Sequence, residues 1–183
     1  MKCTADTFEK ALIFSIQSHH GQKRKGDGRP YIMHPLTVMA TLYDIKHSSN
    51  ALLIATAAVL HDVVEDCNVS ISTIAKKFGH QVASLVDELT SDKNEISKMG
   101  KTEYLKKKML EMSSYALIIK LCDRYDNVKD LGSLSIDNAI RIANETNDIL
   151  LFLSDNRKLT KTHKVLINLI DKRIQKTMIL NIN

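Results

Sequence analysis

Residues that break regular structure are scarce in this chain: two prolines and six glycines in 183 residues, with no tryptophan and only 5% aromatic residues. So few breakers fit helices better than a multi-stranded β fold, which needs a turn every few residues. The shortage of rings leaves no stacking platform of the kind that single-strand nucleic-acid binders use. No apolar run approaches the roughly 18–20 residues of a membrane span. The opening MKCTADTFEKAL lacks the uninterrupted apolar stretch of a signal peptide. Cysteines are few as well. Cys3, Cys67 and Cys122 are an odd number without CxxC spacing, and read as reduced thiols of a cytoplasmic protein rather than a disulfide framework.

What is present is ordinary for a globular chain: 44% apolar residues, 26% charged, and a net charge of +5. The length suits one domain over residues 1–183, with a core over about 5–155 and a basic C-terminal helix over about 159–177. Much of the basic excess lies in KLTKTHKVLINLIDKRIQK and at Lys106, Lys107 and Lys108. A basic helix face is more often solvated than bound to nucleic acid, so nucleic acid is not the expected partner. A mild positive charge also suits an anionic small molecule. The basic last helix is compatible with a homo-oligomer face, a substrate-attracting field, or neither.

The apolar periodicity predicts helices almost throughout. DTFEKALIFSIQSHH places Asp6 and Glu9 at capping-box spacing and Phe8, Ala11, Leu12 and Ile16 on one face. Pro35 suits the first turn of a second helix over about 35–46, and a third runs over about 49–66. SISTIAKKFG reads as a short helix stopped by Gly79, and HQVASLVDELT as another. SDKNEISKMGK is polar and predicts a loop or a frayed helix start. Further helices follow over about 102–112, 114–131, SIDNAIRIANETNDILLFLS and 159–177. The expectation is an all-α, single compact fold of about eight to ten helices.

The chemistry concentrates in AVLHDVVEDC, residues 58–67. On a continuous helix, His61, Asp62, Glu65 and Asp66 project within one arc of about 140°. Three like charges on one arc repel, and desolvation raises carboxylate pKa values. A divalent cation removes that penalty; an arc facing water would need no such remedy. Two other segments bear on the choice. YIMHPL holds His34 at a loop-to-helix junction, and IIKLCDRYDNVKDL drops Asp123 and Asn127 into an apolar helix, where a carboxylate needs a partner. His34, His61, Asp62 and Asp123 make a two-histidine, two-carboxylate set, which suits Mn²⁺, Fe²⁺ or Zn²⁺ better than Mg²⁺. His19, His20 and His80 read as structural, and Cys67 and Cys122 as small apolar side chains.

The order RK…PYIMHP, HDVVED, FGHQVASLVDELTSDK, IIKLCDRYDN closely resembles the HD-superfamily (p)ppGpp hydrolase domain, over about residues 22–131. That domain occurs in bifunctional alarmone enzymes and in free-standing small hydrolases of the metazoan type. The absence of a synthetase segment after residue 183 favours the latter. The resemblance implies that His34, His61, Asp62 and Asp123 hold a metal, normally Mn²⁺. It implies that Glu65 and Asp66 position and activate the attacking water. Arg24 and Lys25 match the basic pair beside the nucleotide, Tyr31 adjoins it, and Asn127 matches the asparagine that contacts the sugar. The implied activity removes pyrophosphate from the 3′ position of guanosine tetra- or pentaphosphate, giving GDP or GTP.

Tyr125 and Asp126 depart from the family pattern, which has Leu and then His or Tyr there, and Lys129 stands where Arg is usual. The loop KGDGRPY is one residue longer than the common form. Asp126 is expected either to weaken binding of an anionic nucleotide or to point outward. These departures keep open a hydrolase of the same fold acting on another phosphorylated nucleotide, such as NADPH or a nucleoside triphosphate. A nucleotide-sensing module without catalysis is the third reading; a water-activating pair argues against it.

Overall fold

The structure is a computed structural model that describes residues 3–45 and 48–182. Its regular elements are helical: α1 (Ala5–Ser18), α2 (Met33–Ile45), α3 (Ala51–Leu60), α4 (Val63–Asp66), α5 (Ile71–Phe78), α6 (His80–Leu89), α7 (Lys93–Met99), α8 (Lys101–Glu111), α9 (Ser114–Lys129), α10 (Ile136–Asn156) and α11 (Lys161–Ile182), with a 3-10 turn over Asp130–Ser133. No strand occurs among the described residues. An isolated bridge between Lys23 and Pro30 ties the base of the loop before α2. The all-α expectation is borne out, with two short helices, α4 and α7, beyond those expected.

Two helices form the middle. In α3, ALLIATAAVL, Ile54 and every residue from Thr56 to Leu60 are buried, leaving Leu52 in the first turn exposed, and the helix packs against α1, α2, α6 and α9. In α9, Leu117, Ile118, Ile119 and Leu121 are buried, and the helix packs against α2, α6, α10 and α11. The buried cluster is continuous from Ala11 in α1 to Ile174 in α11. This packing brings the first turn of α2, the end of α3 and the middle of α9 to one place.

Local chemistry explains where the helices differ from expectation. The third helix does not run through residue 66. His61 Nδ1 lies 2.8 Å from the carbonyl of Ala58, the acceptor a continuing helix would offer to residue 62. The helix stops at Leu60, and α4 restarts after a turn at His61 and Asp62. The polar stretch after Ser91 is helical rather than loop, because Asp92 caps it by accepting from the amides of Asn94 (2.8 Å) and Glu95 (3.2 Å). In α1 the capping box is Thr4 with Thr7, while Asp6 pairs with Lys10 instead. Ile16 is 45% exposed, and the buried stripe of α1 is Thr7, Ala11 and Ser15. The second helix starts at Met33; its expected end at residue 46 lies outside the described residues. Gly79 joins α5 to α6 with φ of 92°, a conformation that disfavours any side chain.

The far end of the molecule is pinned by Arg157, whose guanidinium donates to the carbonyls of Met109 (2.6 Å), Leu110 (2.9 Å) and Met112 (2.6 Å). These are acceptors of the last turn of α8 and of its cap residue Met112, which have no partner within the helix. Arg157→Leu is expected to lower the unfolding free energy by about 2–3 kcal/mol, since charged hydrogen bonds of this kind contribute about 1.5–3 kcal/mol. Urea denaturation followed by circular dichroism measures it, and an unchanged midpoint would remove the assigned role.

Candidate metal centre and active site

Three elements supply the centre. His34 stands in the first turn of α2, His61 just past the end of α3, and Asp123 in the middle of α9. Each is nearly solvent-free, at 3%, 2% and 6% exposure. One donor atom from each lies within 4.8 Å of the others. Asp62 completes the group: its Oδ2 is 3.1 Å from His61 Nε2 and 3.5 Å from His34 Nε2. The expected quartet therefore converges, although residues 61 and 62 occupy a turn and not the arc of a continuous helix.

The two imidazoles are oriented from behind. Because a carbonyl can only accept, the Ala58 contact puts the proton of His61 on Nδ1 and turns Nε2 inward. His61 Nε2 is buried and has no hydrogen-bond partner; its approach to Asp62 lacks hydrogen-bond geometry. An orphaned lone pair beside two carboxylates is what a cation would satisfy, and the mixed N/O donor set fits a transition-metal dication. His34 Nδ1 lies 2.7 Å from Asp126 Oδ2, and its Nε2 lies 3.2 Å from Asp123 Oδ1.

Electrostatics follow from burial and pairing. Burial alone would push His34 down, but its hydrogen bonds to Asp123 and Asp126 raise it to about 9. Asp62 and Asp123 would be pushed up by burial; the adjoining rings for Asp62, and Lys120 with His34 for Asp123, hold both well below the usual carboxylate range. Lys120 Nζ lies 2.8 Å from Asp123 Oδ2. Asp66 is raised, by partial burial and then by the charge of Asp62.

The expected water-activating pair sits on α4, directly after the centre. Glu65 Oε2 accepts from the backbone amide of Ser91 at 3.0 Å, which anchors it to the end of α6. Asp66 is exposed. Tyr31 donates its hydroxyl to Asp62 Oδ2 at 2.7 Å, and Asn127 donates its amide to Asp123 Oδ1 at 2.6 Å. Both are thus engaged with carboxylates of the centre. Lys25 is exposed. Arg24 is only 10% exposed: Nη1 lies 3.2 Å from Asp126, Nη2 2.6 Å from Asp130, and Nε donates to Asp130 at 2.8 Å.

One expectation is corrected here. Asp126 does not point outward; it is buried between His34 and Arg24. Asp130, which sequence reasoning passed over, anchors Arg24 from the 3-10 turn; its partner lies 106 positions away, so no local pattern signals it. The cysteines are free thiols, and burial pushes Cys122 up to about 12, consistent with packing. Cys67 Sγ lies 3.3 Å from His19 Nδ1, next to the centre and outside it. No helix among the described residues is long and apolar enough to cross a membrane.

Known proteins resemble this chain in sequence and in fold. The chain is 39% identical over 145 residues to a GTP pyrophosphokinase rsh of Brucella melitensis, covering 76% of this chain and 19% of that protein. It is 36% identical over 149 residues to a guanosine-3′,5′-bis(diphosphate) 3′-pyrophosphohydrolase of Vibrio cholerae, covering 79% and 21% respectively. The chain thus spans about a fifth of the length of these curated relatives. A solved structure described as a metazoan ortholog of SpoT, which hydrolyzes ppGpp and plays a role in starvation responses, superposes with a TM-score of 0.78 at 24% identity, covering 94% of this chain and 96% of that one. That likeness establishes a shared fold. The HD domain profile matches residues 11–158, and the chain belongs to the HD domain family.

Proposed function

We propose that this protein is a divalent-cation-dependent hydrolase that removes pyrophosphate from the 3′ position of guanosine 3′,5′-bis(diphosphate) or its pentaphosphate counterpart, giving GDP or GTP. One observation carries the reading: the buried, partnerless Nε2 of His61 lies beside a second imidazole and two carboxylates. The substrate class is supported by relatives named for it. His34, His61, Asp62 and Asp123 would hold the cation, with Mn²⁺ preferred and Zn²⁺ or Fe²⁺ as alternatives for this donor set. When bound, such a cation supplies Lewis acidity, which lowers the pKa of a coordinated water and offsets charge on phosphate oxygens.

The chain's own residues do the rest. A water oxygen bonds to the phosphorus joined to the ribose 3′-oxygen, that P–O bond breaks, and the 3′-oxygen leaves as a hydroxyl by taking up a proton from solvent, in balance with the one lost by the water. Glu65 and Asp66 orient the water and take its proton as general base. Tyr31 and Asn127 steady Asp62 and Asp123 while facing the substrate side. Lys25 meets the phosphates as an exposed point charge. Arg24, its charge already matched by Asp126 and Asp130, offers a guanidinium plane suited to stack on the purine.

The test is a substrate panel: protein with Mn²⁺ on ppGpp, pppGpp, NADPH, GTP and dATP, products resolved by anion exchange. Turnover of the two 3′-diphosphates at least about tenfold above the rest is expected. No ppGpp turnover beside clear hydrolysis of another nucleotide would refute the substrate and keep the centre. No turnover of any nucleotide would favour a binding module.

A further inference from the structure

Asp126 is a buried carboxylate, 7% exposed, in a helix that already contributes Asp123 to the centre. The two are three residues apart and share a face of α9. That spacing brackets one ring: Asp123 Oδ1 lies 3.2 Å from Nε2 of His34, and Asp126 Oδ2 lies 2.7 Å from Nδ1. The same Oδ2 also lies 3.2 Å from Nη1 of Arg24, and Lys129 Nζ approaches Oδ1 at 3.7 Å. One oxygen therefore touches both a proposed metal ligand and the arginine proposed to meet the substrate.

We propose that Asp126 is the positioning residue of the centre: it fixes His34 with its proton on Nδ1 and Nε2 turned toward the cation, and it seats Arg24 through the same oxygen. This deepens the proposed function and rests on His34 being a metal ligand. An ionised carboxylate has no proton to give, so at 2.7 Å His34 Nδ1 must be the donor. A ring held through Nδ1 presents Nε2 toward Asp123 and Asp62, and ring rotation would break the 2.7 Å hydrogen bond to Asp126. Carboxylates placed behind a ligating histidine raise its basicity, and losing one commonly lowers metal affinity about 10–100-fold. His61 is held differently, by the neutral Ala58 carbonyl, so the two imidazoles have unequal supports. Asp126 also shares Arg24 with Asp130, whose Oδ2 lies 2.6 Å from Nη2 and 2.8 Å from Nε of that guanidinium.

That sharing supplies the control. Asp126→Asn keeps the shape and removes the charge from both His34 and Arg24; Asp130→Asn removes a charge from Arg24 and from the exposed Arg29 at 3.5 Å, and none from His34. Mn²⁺ titrations of the full chain by calorimetry are expected to show affinity about 10–100-fold lower for Asp126→Asn, and within about twofold of the parent for Asp130→Asn. Equal affinity of Asp126→Asn and the parent would overturn the proposal. An equal loss in both variants would overturn it too, since the effect would then run through Arg24. Parent protein that binds no divalent cation would instead refute the metal reading on which this one stands. A second readout needs no variant: long-range ¹H–¹⁵N spectra of the Zn²⁺-loaded, ¹⁵N-histidine-labelled parent should show His34 protonated at Nδ1 with Nε2 shifted by the metal. Metal at Nδ1 would sink the assignment even if Asp126→Asn failed to fold.

Discussion

His61→Asn is expected to abolish cation binding and to lower kcat/KM on ppGpp by on the order of 10³-fold or more, because it removes the donor that the pocket leaves unsatisfied. Asparagine suits this test better than alanine. Its amide can still donate to the Ala58 carbonyl, the bond that stops α3 at Leu60, while nothing replaces Nε2. The fold should persist, with a melting temperature within a few degrees of the metal-free parent. Substituting Asp123 would be a poorer choice. That carboxylate also neutralises Lys120 at 2.8 Å, and removing one partner of a buried pair costs about 3–5 kcal/mol on its own. Mn²⁺ stoichiometry, circular dichroism and steady-state kinetics on one preparation decide the matter. A His61→Asn protein that still binds one Mn²⁺ per chain and turns over would show that the centre lies elsewhere.

The second large effect concerns α4. Glu65→Gln and Asp66→Asn should each lower kcat by about 10²–10⁴-fold, the usual contribution of a positioned general base, and each should leave Mn²⁺ affinity near that of the parent. Glutamine can still accept from the Ser91 amide through its carbonyl oxygen, and Asp66 is exposed, so neither change threatens the fold. The combination separates the readings: an enzyme keeps its metal and loses turnover, whereas a sensor keeps nucleotide binding with no turnover to lose. Retention of more than about half of kcat in both variants would exclude α4 from the chemistry.

These expectations differ in how much of their basis could be read from the linear chain. The quartet was legible because histidine and aspartate in apolar surroundings require partners, and because three such segments recur in one short chain. The helical class was legible from sparse breakers and regular apolar spacing. The break at residues 61 and 62 was not, because a side chain takes the Ala58 carbonyl and the apolar pattern runs on regardless. The helix over Lys93–Met99 hid behind polar composition, although Asp92 held its capping signal in plain view. The environment of Asp126 was the least legible: its partners His34 and Arg24 are about 90 and 100 positions away, and only the packing of α2 on α9 brings them together. Arg24 shows the same limit. Its loop reads as an exposed basic stretch, while Asp126 near the end of α9 and Asp130 in the 3-10 turn claim its guanidinium.

The central claim is that water attacks phosphorus at the ribose 3′ position under the control of this centre. The direct measurement is hydrolysis of ppGpp in ¹⁸O-labelled water with Mn²⁺, with and without chelator, followed by ³¹P NMR and mass spectrometry of the products. The predicted result is GDP without label, pyrophosphate carrying one ¹⁸O, and no reaction once the metal is removed. Label in the GDP, release of single phosphates, or turnover indifferent to chelator would contradict the account.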